Sequence, residues 1–535
     1  MLTRPMGQPK WIRRMSPACY VIGAKRSWIT SASQRRRLKR IRPNRNGLVS
    51  GRVEIMLLNL LGANASIIGR ARYFFWNRHY TLTLRVGLIL LCIALTITTA
   101  LLVTSRGEVI GMLPVAVMVG LALFLFVYYN LERTLLVALA ISMLVHDGVS
   151  TGTETKITFT FMLLLAAVLI WCFRMVMVDR AIRLRPSPAN LPGLLFMVIV
   201  VISTLWSGTY VEQDVSWLFA DKIFARGMSA IALILAVAIY FLFANTITSL
   251  RAMRFFVWWF IAVGALFLLF WLTMRGVPHP LNYNGQFSAF VVILALSQAL
   301  FNHALSRPIR IALVVITLGW LYVNLAAVTW LSGWLPALVG VLLVLCFRSR
   351  KFIILVILVG AISVANNPER LNRIFQTENA ESGETRLQAW GRTLGLTEEH
   401  LLFGMGPAGY RYYFSTRLTG FFQLSHNNYV DILAQTGIAG FAAYIWFWLG
   451  LGIMAWRTSR AVPRGGFRQA LAVSLVAVYC ISLLSMMLGD WITPFTYTQG
   501  LQGIDYTIWH WMFAGMIVAL YYETRTQPQA QMVVS

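Results

Sequence analysis

The sequence predicts an all-α fold, a polytopic membrane helix bundle of about fourteen spans, on three observations. Of its 535 residues, 58% are hydrophobic and only 12% charged, about half the charged share of a soluble domain. The mean hydropathy of +0.67 is gathered into uncharged Leu-, Ile-, Val- and Phe-rich runs. Many of these reach the ~20 helical residues that cross a ~30 Å hydrocarbon core. None shows the polar/apolar alternation of an outer-membrane barrel strand, so helices are the remaining solution.

Residues 1–80 read as a basic, largely disordered cytoplasmic tail. Arg13, Arg14, Lys25, Arg26, Arg35, Arg36, Arg37, Lys39, Arg40, Arg42 and Arg45 follow one another with no apolar core between them. A signal peptide needs such a core of roughly 7–15 residues. The partner expected for this tail is anionic membrane lipid. The net charge of +27 would suggest nucleic acid in a soluble protein. Here the positive-inside rule accounts for it, and no nucleic-acid partner is expected.

The expected spans lie near 82–104, 109–129, 132–146, 157–178, 191–207, 226–245, 253–274, 285–305, 309–328, 332–347, 352–366, 428–456, 469–489 and 507–522. They divide the chain into a membrane bundle over 81–365, a large extracytoplasmic loop with surface helices over 366–427, C-terminal membrane helices over 428–522 and a cytoplasmic tail over 523–535. Alternate loops carry the arginines: Arg180, Arg183 and Arg185; Arg251 and Arg254; Arg307 and Arg310; Arg348, Arg350 and Lys351; Arg457, Arg460, Arg464 and Arg468. The intervening loops hold most of the acids. By the positive-inside rule both termini are then cytoplasmic and the 366–427 loop faces outward. Cys92, Cys172, Cys346 and Cys480 sit inside apolar runs, and no Cys-x-x-Cys pair exists. Structural thiols are expected, not a disulfide framework or zinc site.

The long outer loop is where function is sought. It is rich in aromatic residues, and Leu387, Trp390 and Leu394 recur at helical spacing. That pattern predicts a helix lying along the bilayer surface, with Arg386 and Arg392 free to point elsewhere. Gly404 to Tyr410, GMGPAGY, reads as a turn, since it lacks the Lys-Ser/Thr ending of a phosphate loop. Ser425-His426-Asn427-Asn428 then opens a span whose one charge is Asp431. Ser and Asn cap helix N-termini, and the free N–H groups there favour an anion. Histidine can take a hydroxyl proton near neutral pH, and arginine matches phosphate oxygens. On residue types alone, the set suits a diphosphate ester and a hydroxyl. It equally suits a capped helix whose arginines neutralise Glu398, Glu399 and lipid phosphates.

The stretch H426-N-N-Y-V-D-I-L-A-Q-T-G-I-A-G440 resembles the His-Asn…Leu…Glu-Thr-Gly…Gly signature of the O-antigen ligase and O-antigen polymerase family. R386-L-Q-A-W390, H400-L-L-F-G404-M-G406 and the Asn282 to Phe290 piece NYNGQFSAF resemble that family's Arg-x-x-x-Trp helix, His-Pro-Leu-Phe-Gly-x-Gly loop and Asn-x-Asn helix entry. The motifs span roughly Asn282 to Trp456. The resemblance implies a GT-C-like fold in the bacterial cytoplasmic membrane, with the active site facing the periplasm or exterior. It also implies inverting, metal-independent transfer of a glycan from an undecaprenyl-diphosphate-linked saccharide donor to the hydroxyl of a sugar or lipid-linked sugar acceptor, with no cofactor. By carry-over His426 activates the acceptor hydroxyl and Arg386 contacts the donor diphosphate. Arg411 and Arg226 are candidates for a second diphosphate contact, and Asn282, Asn284, Trp390 and Asn427 for shaping the pocket.

Three positions depart from the family pattern. Ser332-Gly333-Trp334 stands where Ser-Arg-Gly is common, Gln435 where Glu is common, and Leu401 where Pro is common. The first two changes keep a non-catalytic envelope-assembly scaffold among the alternatives. A transporter or flippase of lipid-linked glycan is the other, and it would place charged residues deep in the spans. Arg226 is expected to snorkel from a span end, His510 to lie at the membrane interface and His279 in a structural turn. Asp490 and Asp505 flank the last outer loop with no ligand-spaced partner beside them in sequence, and Gly437 and Gly440 are expected to permit close helix packing.

Overall fold

A computed structural model describes residues 124–145, 147–150, 156–273, 285–327, 331–349, 384–418 and 424–532, with isolated positions at 120, 351 and 354. All of them lie in the second of two compact units, Ala116–Ser535. The expected span at 82–104, nearly all of 352–366, most of 109–129, and His279, Asn282 and Asn284 lie outside the described residues.

The described chain is helical almost throughout. The helices are α1 (Leu131–Leu144), α2 (Phe159–Phe173, continued by a π-helical turn over Arg174–Val178), α3 (Asn190–Thr209), α4 (Ser216–Asp221), α5 (Ile223–Thr246), α6 (Leu250–Thr273), α7 (Gly285–Phe301), α8 (Arg307–Ala327), α9 (Leu331–Arg348), α10 (Glu384–Glu399), α11 (Tyr410–Arg417), α12 (Asn428–Ala461), α13 (Phe467–Leu488), α14 (Thr496–Gln499) and α15 (Ile504–Met532). Eight candidate spans among the described residues are long and apolar enough to cross a membrane. One departure from all-α is a short antiparallel pair, β1 (Gly148–Ser150) with β2 (Lys156–Thr158), in which Val149 faces Ile157. Branched residues on both sides of a short loop favour that pairing. Thr158 then caps α2, its hydroxyl accepting from Phe161 N.

Burial separates centre from rim. The most apolar stretches of α5 and α13 are 78% and 67% buried, those of α2 and α8 each 28%. So α5 and α13 form the middle, while α2 and α8 turn most of their apolar surface outward, as lipid-facing helices do. At Gly515 the α5–α15 contact is backbone against backbone, and a Cβ there would come within 2.7 Å of the Tyr240 carbonyl oxygen. Polar residues inside the bundle are paired across helices. Asn324 donates to Ser288, Ser485 to Gln286, and Trp320 to the Gly264 carbonyl. These are pins between helices, where little hydrophobic force acts in lipid.

His510 is a correction. It is 1% exposed, hydrogen-bonded to Ser482 and packed on Phe290, so it belongs to the core and not to the interface. Trp509 and Trp511 are buried beside it, because α15 is packed on all sides instead of presenting an aromatic belt.

Candidate active site

The site is built on the start of α12. Asn427 is its N-cap, the side-chain oxygen accepting from Tyr429 N and Val430 N. That carboxamide is spent on the backbone, so Asn427 shapes the site through the helix end. His426 precedes it with φ +46°, one of three non-glycine residues in that region among the described residues. Left-handed backbone costs a side-chain-bearing residue about 1–2 kcal/mol. The surrounding bonds hold it: Ser425 Oγ accepts from Asn427 N at 3.1 Å, and Trp390 Nε1 donates to the Ser425 carbonyl at 2.7 Å.

The turn after α13 closes over this start. Asn428, fully buried, donates through Nδ2 to the Thr493 carbonyl and hydroxyl, both at 2.8 Å. Its Oδ1 accepts from Ile492 N at 2.9 Å and Thr493 N at 3.3 Å. That clamp delivers Asp490 beneath the imidazole, with Oδ2 3.5 Å from His426 Nδ1. Asp490 is 1% exposed, His426 36% by side chain. Thr498 also donates to Asp490 Oδ2, at 2.6 Å. Burial pushes the Asp490 carboxyl up, but its contacts with His426, Asp431 and Thr498 together hold it below the usual carboxylate range.

Asp431 approaches from one turn inside α12. Its Oδ1 accepts from Tyr410 Oη at 2.6 Å and Ser425 Oγ at 2.5 Å, and its carboxyl meets that of Asp490. Burial and the two nearby acids push the Tyr410 hydroxyl well above its ordinary value, so it stays a donor. Sequence spacing left Asp490 without a partner. The fold supplies two, from residues about 60 positions earlier.

Gly437 is a second correction. With φ +64° and ψ −171° it breaks α12 instead of merely easing its packing. The freed groups bond to the 401–409 turn. Met405 N and Gly406 N donate to the Ala434 and Gln435 carbonyls, and Ile438 N and Ala439 N to the Leu401 and Leu402 carbonyls. A Cβ on Gly404 would sit 2.6 Å from the Gly437 nitrogen, so the Gly-rich turn needs its glycine for this approach. Gln435 completes the joint, accepting from Ala408 N at 2.9 Å and donating to the Asp431 carbonyl at 3.1 Å.

Around this centre the candidate arginines divide. Arg386 lies one turn before Trp390 on the same face of α10. Its Nε is buried without a hydrogen-bond partner among the described residues. Trp390 itself turns to the protein, while Leu387 and Leu394 remain exposed, so the expected three-residue stripe splits. Ala389, Thr393 and Thr397 form the buried face instead. Arg411 is half-buried and follows Tyr410 directly. Arg226 does not snorkel. It is 5% exposed, donates to Ser207 Oγ at 2.7 Å and Thr204 O at 3.2 Å, and stacks on Phe219. Phe219 in turn packs edge-on against Tyr412 and Tyr413 of α11, an aromatic cap over the N-terminus of α5.

At the outer rim, Arg417 pairs with Asp214 and Glu399, while His400 Nε2 lies 3.1 Å from Glu212. Glu212, Glu399 and His400 offer three ligand atoms within 4.8 Å of one another. Each acid is already engaged, Glu212 by Tyr413 and His400, Glu399 by Arg417. The cluster is a brace between the 210–215 loop and helices α10 and α11.

The fold and this centre define a multi-pass helical membrane protein with a histidine–carboxylate site at the mouth of its bundle. Residues 312–445 match the family model described as O-antigen ligase, the family that the motifs around His426 resemble. No curated protein matches the chain.

Proposed function

We propose that the protein transfers a glycan from an undecaprenyl-diphosphate carrier to an acceptor hydroxyl at the outer face of the cytoplasmic membrane, as a ligase or polymerase of cell-surface polysaccharide. The observation that carries this is His426, held in a strained conformation with Nδ1 toward a buried carboxylate and its ring partly open. A proton on Nδ1 directed at Asp490 leaves Nε2 as a base for the acceptor hydroxyl. As that oxygen bonds to the anomeric carbon, the bond to the diphosphate breaks on the opposite face, inverting the centre. The hydroxyl proton passes to His426.

The leaving diphosphate needs positive charge more as its bond breaks than before. Arg386 lies on the Trp390 face of α10, which touches the His426 segment. Arg411 and Arg226 are the candidates for further positive charge. Arginine can serve there without a metal because it stays protonated and forks onto phosphate oxygens. Gly333 lies buried at the start of α9, and in this reading the family's arginine there is replaced by these residues.

The test is transfer in liposomes holding the full-length protein and an undecaprenyl-diphosphate oligosaccharide, with EDTA, beside His426→Ala. Ladders from donor alone, lost in the variant, identify a polymerase. Carrier release only with an added acceptor identifies a ligase. Equal product from the variant would remove His426 from the mechanism. Flipping of donor without turnover would favour a transporter.

A further inference from the structure

We propose that Asp431 and Asp490 share one proton beneath His426, and that Asp431, as its carrier, is a positioning residue of the transfer site. The inference rests on the reading of His426 as the base. It starts from two unpartnered atoms. Asp431 Oδ2 and Asp490 Oδ1 are both buried, and neither receives an N–H or O–H hydrogen bond among the described residues. The two carboxyls are brought to the same turn, Asp431 Oδ1 2.5 Å from Ser425 Oγ and Asp490 Oδ2 3.5 Å from His426 Nδ1, and each feels the other's charge. Carboxylates in such contact cannot both be ionised, and a proton between them converts repulsion into a hydrogen bond.

The remaining contacts say where the charge stays. Asp490 Oδ2 faces His426 and takes the Thr498 hydroxyl, the surroundings of an anion. Asp431 Oδ1 takes the hydroxyls of Tyr410 and Ser425, which a neutral acid accepts through its carbonyl oxygen. With the proton on Asp431, every oxygen of the pair has a partner. The order is Tyr410 and Ser425 to Asp431, Asp431 to Asp490, and His426 and Thr498 to Asp490. The site then carries one negative charge beneath the imidazole instead of two. That suits a centre which must admit a diphosphate, since a second fixed anion would repel it. Asp431 also grips Ser425, the residue before strained His426, so it sets both the charge and the seat of the base.

Asparagine is the discriminating substitution, because its amide copies the neutral acid. Its oxygen accepts from Tyr410 and Ser425, and its NH₂ donates to Asp490. The experiment compares wild type, Asp431→Asn, Asp431→Ala, Asp490→Asn and His426→Ala, each full-length in liposomes with undecaprenyl-diphosphate oligosaccharide and acceptor. Asp431→Asn is expected to lose no more than about tenfold in turnover, Asp431→Ala and Asp490→Asn at least about a hundredfold.

A second readout needs no turnover. The chain has seven aspartates, so carboxyl-labelled aspartate gives an assignable infrared spectrum. Wild type is expected to show a protonated-carboxyl band near neutral pH that vanishes in Asp431→Asn and persists in Asp505→Asn. Absence of that band in wild type, or Asp431→Asn as slow as Asp431→Ala, would overturn the pair. Full transfer by His426→Ala would sink the base reading, and the infrared band alone would then decide the pair.

Discussion

Two clusters of charged residues, both outside the hydrocarbon-spanning runs or at their mouth, are built on opposite rules. In the rim brace every acid faces a cation or a donor: Asp214 and Glu399 meet Arg417, and Glu212 meets His400 and Tyr413. In the centre two buried acids lie close together, with a single imidazole above them and no arginine or lysine paired to either among the described residues. The brace is half exposed, Glu399 at 57% and Asp214 at 45% by side chain, whereas Asp490 is at 1%. Surface pairs are worth little and cost little to lose. Burying like charges together is expensive and survives where it does chemistry. On the function proposed above, the rim holds and the centre reacts.

The largest break in that comparison is expected from the centre. His426→Ala or Asp490→Asn should lower transfer by about 10²–10⁴, the usual worth of a positioned base, with membrane insertion intact. Turnover per inserted molecule checks this. Next comes Asn428→Ala, which leaves Ile492 N and Thr493 N without their partner. Each buried orphan costs about 1–3 kcal/mol, and a displaced Asp490 costs up to about a hundredfold in rate. A normal rate with the clamp removed would detach the turn from the chemistry.

Gln435→Glu sharpens the comparison from the other side. It keeps an acceptor for Ala408 N but loses the donor to the Asp431 carbonyl. A loss of about 1 kcal/mol in stability is expected, with turnover within a few-fold. A large gain in rate would mean that the family's carboxylate takes part in chemistry. The smallest effect is expected from Arg417→Ala, with turnover within about threefold and less effect still at high salt. The brace also has a pH sign. The hydrogen bond and charge of Arg417 hold Asp214 below its ordinary value. Its contribution is thus present above the ordinary carboxylate range and lost as pH falls through the lowered folded value. Thermal unfolding of wild type and Arg417→Ala should converge on acidification.

Much of the fold was readable because apolar runs fix where helices can be. Helices α1 to α3, α5 to α9, α12, α13 and α15 fall where the runs lie. The cap at Asn427 was readable too, being local chemistry between a side chain and the backbone two and three residues on. The Asp431–Asp490 contact was not, since no spacing rule links residues that meet only through the Asn428 clamp. A signal was present: both are lone acids bordering apolar segments, and such residues are costly to bury without purpose. The break at Gly437 hid inside an unbroken helical pattern, because its cause is the Gly404 turn docking from outside. Arg226 misled for the same reason. Its position at a span end suggests snorkelling, but Phe219 and Ser207 enclose it.

The most direct test of the central claim is a double-substitution cycle between His426 and Asp490 in the reconstituted transfer assay. If Asp490 acts through His426, the double variant is no slower than His426→Ala alone. If the two losses multiply, Asp490 acts independently of the imidazole and the centre described here is not a unit.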